Sequence, residues 1–177
     1  MKIHIFGASG AGSTTQGNDL SKVLNIPYFD SDDYFWEVSD PPYMVKRERA
    51  KRLELLHEDL AKQESWIIGG SLVNWGEEWL TAFDFAVFLY VPPEVRLERL
   101  KKREYERYGD IIYTVPERIQ MSQEFIDWSA GYDSGATGRS LIIHEMWMKE
   151  LSCPVLAIRE DLSVEERRAL ILKLVGK

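Results

Sequence analysis

Five short apolar runs punctuate the chain, at Lys2–Phe6, Pro27–Asp30, Ser65–Gly69, Asp84–Val91 and Pro154–Ile158. Runs this short and this apolar read as buried strands. Stretches with helical spacing separate them. Ser13–Leu24 follows the first run, and residues 44–62 place Met44, Ala50, Leu53, Leu56 and Leu60 at roughly helical intervals. Pro92-Pro93 closes the fourth run and opens a charged helix, and Pro116 opens another through Ile119, Phe125, Ile126 and Trp128. Thr137–Leu151 reads as a helix, and Ser163-Val164-Glu165-Glu166 as a capping box before the last one. Tyr105–Val115, with Gly109-Asp110 at its tip, is expected to be a mobile loop. Strands alternating with helices predict an α/β fold, a five-stranded parallel sheet covered on both faces. Ligands of such sheets lie beyond the C-terminal strand ends. That edge gathers Gly7, Asp30, Gly69 and Val91.

The first strand runs straight into Gly7-Ala8-Ser9-Gly10-Ala11-Gly12-Ser13-Thr14-Thr15. Gly7, Gly12 and Thr14 match the phosphate-loop pattern G-x-x-x-x-G-K-[ST], but Ser13 stands where the pattern has lysine. Between a strand and a helix, such a loop closes backbone N–H groups around phosphate oxygens. Serine can donate a hydrogen bond there but cannot balance phosphate charge. Nucleotide binding is therefore expected, with the missing charge supplied from elsewhere.

A length of 177 residues suits one domain, spanning 1–177. A formal charge of −7 argues against a nucleic-acid surface, whose footprint is basic. No apolar run approaches the roughly 18 residues of a membrane span. Lys2 leading into a strand and glycines argues against a signal peptide, and the single cysteine, Cys153, excludes an internal disulfide. A cytoplasmic protein is expected. Residues 94–107 run against the acidic average, with six Lys/Arg against four Glu.

The second strand ends in Asp30-Ser31-Asp32-Asp33. One carboxylate suffices to cap a helix; the others can serve a magnesium ion or an acceptor hydroxyl. Together with the loop, this Asp-x-Asp resembles the shikimate and gluconate kinases within the adenylate-kinase-like group of P-loop proteins. Ile67-Ile68-Gly69-Gly70-Ser71 is similar to the glycine-rich substrate segment of shikimate kinase. FAVFLYVPPEVRLERLKKRE resembles the stretch leading into an arginine-bearing lid, here around 100–118. The likeness covers residues 1 to about 107 well. FIDWSAGYDSG and RSLIIHEMW also look like a bacterial branch of this group without a settled substrate.

The resemblance implies a nucleoside-monophosphate-kinase-like fold and transfer of the γ-phosphoryl of ATP to a small hydroxyl or phosphate acceptor. It gives Gly7–Thr15 the nucleotide phosphates, Thr14 and Asp30 the magnesium, and Asp32 the acceptor hydroxyl. Gly69 and Gly70 would let the acceptor approach the backbone. Arg99 and Arg103 match lid arginines, and Arg139 is a further phosphate-facing candidate. A nucleotide sensor without turnover and a plain NTPase are the alternatives. His144-Glu145 lacks the second histidine of a zinc-protease helix, because Met148 holds that place. Trp36, Tyr43, Trp75 and Trp79 lie toward the substrate side, most of them expected as core or lid contacts.

Overall fold

The computed structural model describes residues 1–176. It contains strands β1 (Lys2–Gly7), β2 (Tyr28–Asp30), β3 (Trp66–Gly69), β4 (Phe85–Leu89) and β5 (Val155–Ile158). The helices are α1 (Ser13–Leu24), α2 (Ser31–Phe35), α3 (Arg49–Ala61), α4 (Pro93–Tyr108), α5 (Ile111–Thr114), α6 (Pro116–Ala130), α7 (Leu141–Glu150) and α8 (Val164–Leu174). The strands form one parallel sheet in the order β2-β3-β1-β4-β5. β1 is central. Ile3 aligns with Ile67 of β3 and with Phe85 of β4, so the phosphate loop leaves the middle of the sheet.

Alternation along β1 divides the core. Ile3 and Ile5 face one side with Ile67, Val87 and Leu89, covered by Leu20 of α1 and Ile171 of α8. Phe6 faces the other side with Ile68 and Phe88, covered by Leu56 and Leu60 of α3 and Trp147 of α7. Trp75 and Trp79 belong to this second cluster, so both are core residues. Among the described residues, no helix is long and apolar enough to cross a membrane.

Three boundaries differ from the sequence reading. The helix expected over 44–62 starts at Arg49, because Glu48 accepts the Ala50 and Lys51 N–H groups and caps it there. Ahead of it, Glu37 and Val45 are hydrogen-bonded across a Trp36–Lys46 bridge, and Met44 is exposed. The helix expected from Thr137 starts at Leu141. The loop expected over 105–115 is instead the last turn of α4, a break at Gly109-Asp110, and α5.

His4 occupies an apolar position on β1. It is fully buried, stacked 4.8 Å from Phe6 and 4.7 Å from Phe83. Its Nδ1 lies 3.2 Å from the Ile68 carbonyl and so carries the proton, leaving Nε2 without a partner. Burial lowers its pKa to about 3. The unfolded chain takes up a proton near pH 6.5 that the folded chain refuses. His4 therefore favours the fold above pH 6.5 and costs stability below it, about 1.4 kcal/mol per pH unit until its folded pKa is reached. Urea midpoints should fall between pH 7 and pH 5, and His4→Phe should flatten that fall. An unchanged slope in the variant would exclude His4 as the cause.

Candidate functional site

The loop closes with Ala11 N–H donating to Ala8 O at 3.0 Å. A β-carbon on Gly7 would stand 2.2 Å from the Leu89 carbonyl oxygen, so β1 and β4 meet this closely only with glycine there. Gly12, at φ 95°, turns the chain into α1. No side chain caps α1, and its first turn holds no acidic residue. By contrast α2, α3 and α8 are capped by Asp30, Glu48 and Ser163. The first N–H groups of α1 are thus left to an external acceptor, and the helix dipole favours an anion.

Gly7, Ala8, Ser9, Gly10, Gly12, Ser13, Thr14 and Thr15 line a cleft of about 400 Å³ at the C-terminal edge of the sheet. Ala11 does not line it: its methyl is fully buried beneath the loop. Thr14 Oγ1 donates to Asp30 Oδ2 at 2.8 Å, and Tyr28 donates to the same oxygen at 2.9 Å. Asp30 Oδ1 accepts from Asp32 N–H at 3.0 Å, so Asp30 is both the α2 cap and the partner of Thr14. A hydroxyl beside carboxylate oxygen is a hard-oxygen set suited to magnesium. Among the described residues no three acidic, histidine or cysteine side chains form a metal cage. That composition suits an ion completed by phosphate oxygens and water.

Asp32 stands in the same cleft, open to solvent yet walled by protein on most sides. The loss of surrounding water, then the neighbouring Asp30, raises its pKa; Arg139 and Arg103 pull it back. A carboxylate so placed accepts a proton more readily than an ordinary aspartate.

The arginines expected from sequence hold different positions. Arg99 gives two hydrogen bonds to Asp161, at 2.8 and 2.9 Å. Arg103 and Arg139 line the cleft, and neither forms an ion pair among the described residues. Arg139 instead lies over the Phe35 ring, 5.4 Å from its centroid. Every cation lining this cleft is an arginine: Arg99, Arg103, Arg139 and Arg167.

Gly69 departs from the expectation of an open approach, while Gly70 stays at the cleft. The space above Gly69 is filled by the Tyr28 hydroxyl, 2.1 Å from where a β-carbon would stand. Gly69 is absent from the cleft lining; Gly70 contributes to it, with Ser31 Oγ against its α-carbon. These glycines make room for the protein's own side chains.

Several residues in or beside the site were not singled out for it in the sequence. His144 of α7 joins Ser71 and Tyr132: its Nε2 is 2.9 Å from Ser71 Oγ and its Nδ1 2.8 Å from the Tyr132 hydroxyl. All three line the cleft. Burial, then Arg139, lowers the His144 pKa to about 4, so the imidazole is neutral at pH 7. Arg52 of α3 lies over Phe35 and Trp75, at 4.8 and 4.7 Å, with its Nε buried and unpartnered. Arg49 and Arg139 both lower the Arg52 pKa, after burial, so three guanidiniums share one neighbourhood. Arg96 was legible only as one charge of a basic helix. It is fully buried, donating to the carbonyls of Val91, Ser129 and Ser9 and paired with Asp133, which ties the loop to the end of α6.

A second cavity of about 750 Å³ adjoins the first and shares Thr14, Asp30, Asp32 and Arg103 with it. Trp36, Tyr43, Tyr108 and Phe125 give it aromatic walls. Arg107 lies 4.3 Å over Tyr43, and Tyr108 donates to the Pro42 carbonyl at 3.2 Å, so α4 touches the segment between α2 and α3.

Known proteins share this architecture. The chain is 43% identical over 166 residues to the uncharacterized protein YqaC of Bacillus subtilis (strain 168), covering 93% of this chain and 92% of that protein. It is 34% identical over 112 residues to shikimate kinase of Aquifex aeolicus, covering 57% of this chain and 66% of that enzyme. The structure of deoxyadenosine kinase from M. mycoides with bound dATP superposes with a TM-score of 0.61 at 19% identity, over the whole of both chains. That identity speaks for the fold. A family model described as an AAA domain matches residues 3–120, and with its phosphate loop at the head of a parallel sheet the chain belongs to that family.

Proposed function

We propose that this protein is a small-molecule kinase, moving the γ-phosphoryl group of ATP to an acceptor hydroxyl or phosphate with magnesium. One observation carries this reading. A single cleft brings the uncapped N-terminus of α1 and the Thr14–Asp30 pair together with Asp32 and the unpaired Arg103 and Arg139. Phosphoryl transfer is mostly positioning and charge neutralisation, and these are the parts it needs. Kinases among the relatives and structural neighbours support the same reading.

The residues divide the work. The loop backbone from Gly7 to Thr15 holds the nucleotide phosphates. Thr14 and Asp30 would hold magnesium, which would offset the charge of the phosphates. Asp32 orients the acceptor and takes its hydroxyl proton as that oxygen attacks. Arg103, on the lid formed by residues 100–118, closes on the γ-phosphate. Arg139, which lines the cleft, meets an anionic substituent of the acceptor. The acceptor is therefore a small anionic molecule bearing a hydroxyl or phosphate.

A thermal-shift screen of nucleotides with magnesium, then ADP release against anionic hydroxyl and phosphate acceptors, tests the reading. Stabilisation by MgADP and acceptor-stimulated ADP release are expected. Stabilisation with ADP release that no acceptor stimulates would mark a plain NTPase, and stabilisation with no release a nucleotide sensor. No stabilisation by any nucleotide would remove the reading altogether.

A further inference from the structure

The unfilled role is the charge that Ser13 cannot carry, and the strongest candidate for it comes from the far end of the chain. Arg167, in the first turns of α8, is 4% exposed, and its Nη1 donates to the Ala11 carbonyl oxygen at 2.9 Å. Nη1 also lies 3.1 Å from where a β-carbon on Gly12 would stand, so the guanidinium rests directly against the loop backbone. The side chain lines the nucleotide cleft beside Ser163 and Val164. Among the described residues its acidic neighbour is Asp161, and that carboxylate is shared. Asp161 accepts from Arg167 Nη2 at 3.3 Å but from Arg99 at 2.8 and 2.9 Å. Two guanidiniums against one carboxylate leave a net positive charge, and arginine keeps that charge even when buried. Arg167 Nε is buried and unpartnered.

We propose that Arg167 is the fixed cation of this phosphate loop, standing behind Ala11 and Gly12 and supplying from α8 the positive charge that a loop lysine would supply from position 13. This rests on the nucleotide-binding reading above. It differs from the role of Arg103, which must be carried to the phosphate by a lid; Arg167 is in place before nucleotide arrives. Such a preorganised charge favours phosphate without reorganisation during the reaction. Arg167 acts through the loop and is a positioning residue.

The test is calorimetric titration of the full-length protein with MgADP, which needs no acceptor. Arg167→Gln keeps an amide that can donate to the Ala11 carbonyl but removes the charge. It should weaken MgADP by about ten- to a hundredfold, the range for losing one charge-assisted contact. Arg167→Lys should stay within about threefold of the parent. Adding Ser13→Lys to Arg167→Gln should restore most of the affinity, since the lysine returns the same charge from the other side of the loop. A merely structural role would show the reverse: lysine at 167 no better than glutamine, and no rescue from position 13. That pattern overturns the proposal, as does an unchanged affinity in Arg167→Gln. Should Arg167→Gln not fold, Asp161→Asn in an Arg99→Gln background exposes the same charge. Tighter MgADP binding than in Arg99→Gln alone supports it, and weaker or equal binding counts against it. If the parent protein itself fails to bind MgADP, the nucleotide reading falls and this assignment falls with it, whereas parental binding that Arg167→Gln leaves unchanged overturns the assignment alone.

Discussion

Asp32→Asn should lower acceptor-dependent ADP release by about 10²-fold or more, the span of a positioned acid or base, while leaving MgADP binding in place. The same substitution should raise the melting temperature of the empty protein. The sign follows from its environment. Loss of surrounding water within the cleft, then the charge of Asp30, raises the Asp32 pKa above its unfolded value. The folded state thus binds the Asp32 proton more tightly than the unfolded chain does. Its stabilising contribution is full below the unfolded pKa and lost as pH rises through the folded one. At neutral pH the ionised carboxylate is a cost to the fold. A neutral amide of the same shape relieves it. Turnover in the parent should rise with pH through the raised pKa of Asp32, because only the ionised form accepts a proton. An Asn variant with parental turnover would remove Asp32 from the acceptor site. A variant that melts lower would show the carboxylate to be structural.

Arg103→Ala should weaken MgATP more than MgADP and reduce transfer by one to two decades, from losing one charged contact worth roughly 1.5–3 kcal/mol. Arg99→Ala should cost less. The sequence presents both as equal members of a lid helix, four residues apart on one face. The structure separates them, since Arg99 is held by both oxygens of Asp161 while Arg103 has no carboxylate partner among the described residues. Asp32 is the acid whose charge supports the Arg103 cation most. Equilibrium titrations of the two variants with MgATP and MgADP measure the difference. Equal losses, or a larger loss at Arg99, would place the mobile charge on the wrong residue.

The sheet was legible because each strand is a short apolar run bounded by turn residues, and because glycines at 7, 10 and 12 have one structural context. The α8 capping box was equally plain: Ser163 Oγ accepts from Glu166 N–H and Glu166 from Ser163 N–H, at 3.2 and 2.8 Å. The start of α3 was missed because Met44 and Val45 continue an apolar rhythm that Glu48 ends by capping. Asp30 and Asp32 were visible as more carboxylates than a helix start needs. Arg167 and Tyr132 were not visible, since nothing local distinguishes them from surface charge or core filling, and His144 stood out only as half of an incomplete metal motif. Their place in the site arises only when α7, α8 and the segment after α6 come to one strand edge. Gly69 and Gly70 differ in outcome: Tyr28 fills the space at Gly69, while Gly70 lines the cleft with Ser31 packed against it.

The most direct test of phosphoryl transfer is to follow the γ-phosphate itself, using γ-labelled ATP with magnesium and a panel of nucleosides, nucleoside monophosphates and small hydroxy acids. The expected result is label on one acceptor class, reduced by Asp32→Asn and by Arg103→Ala. Label that stays on ATP or passes only to water across the panel, in protein that binds MgADP, would contradict a kinase.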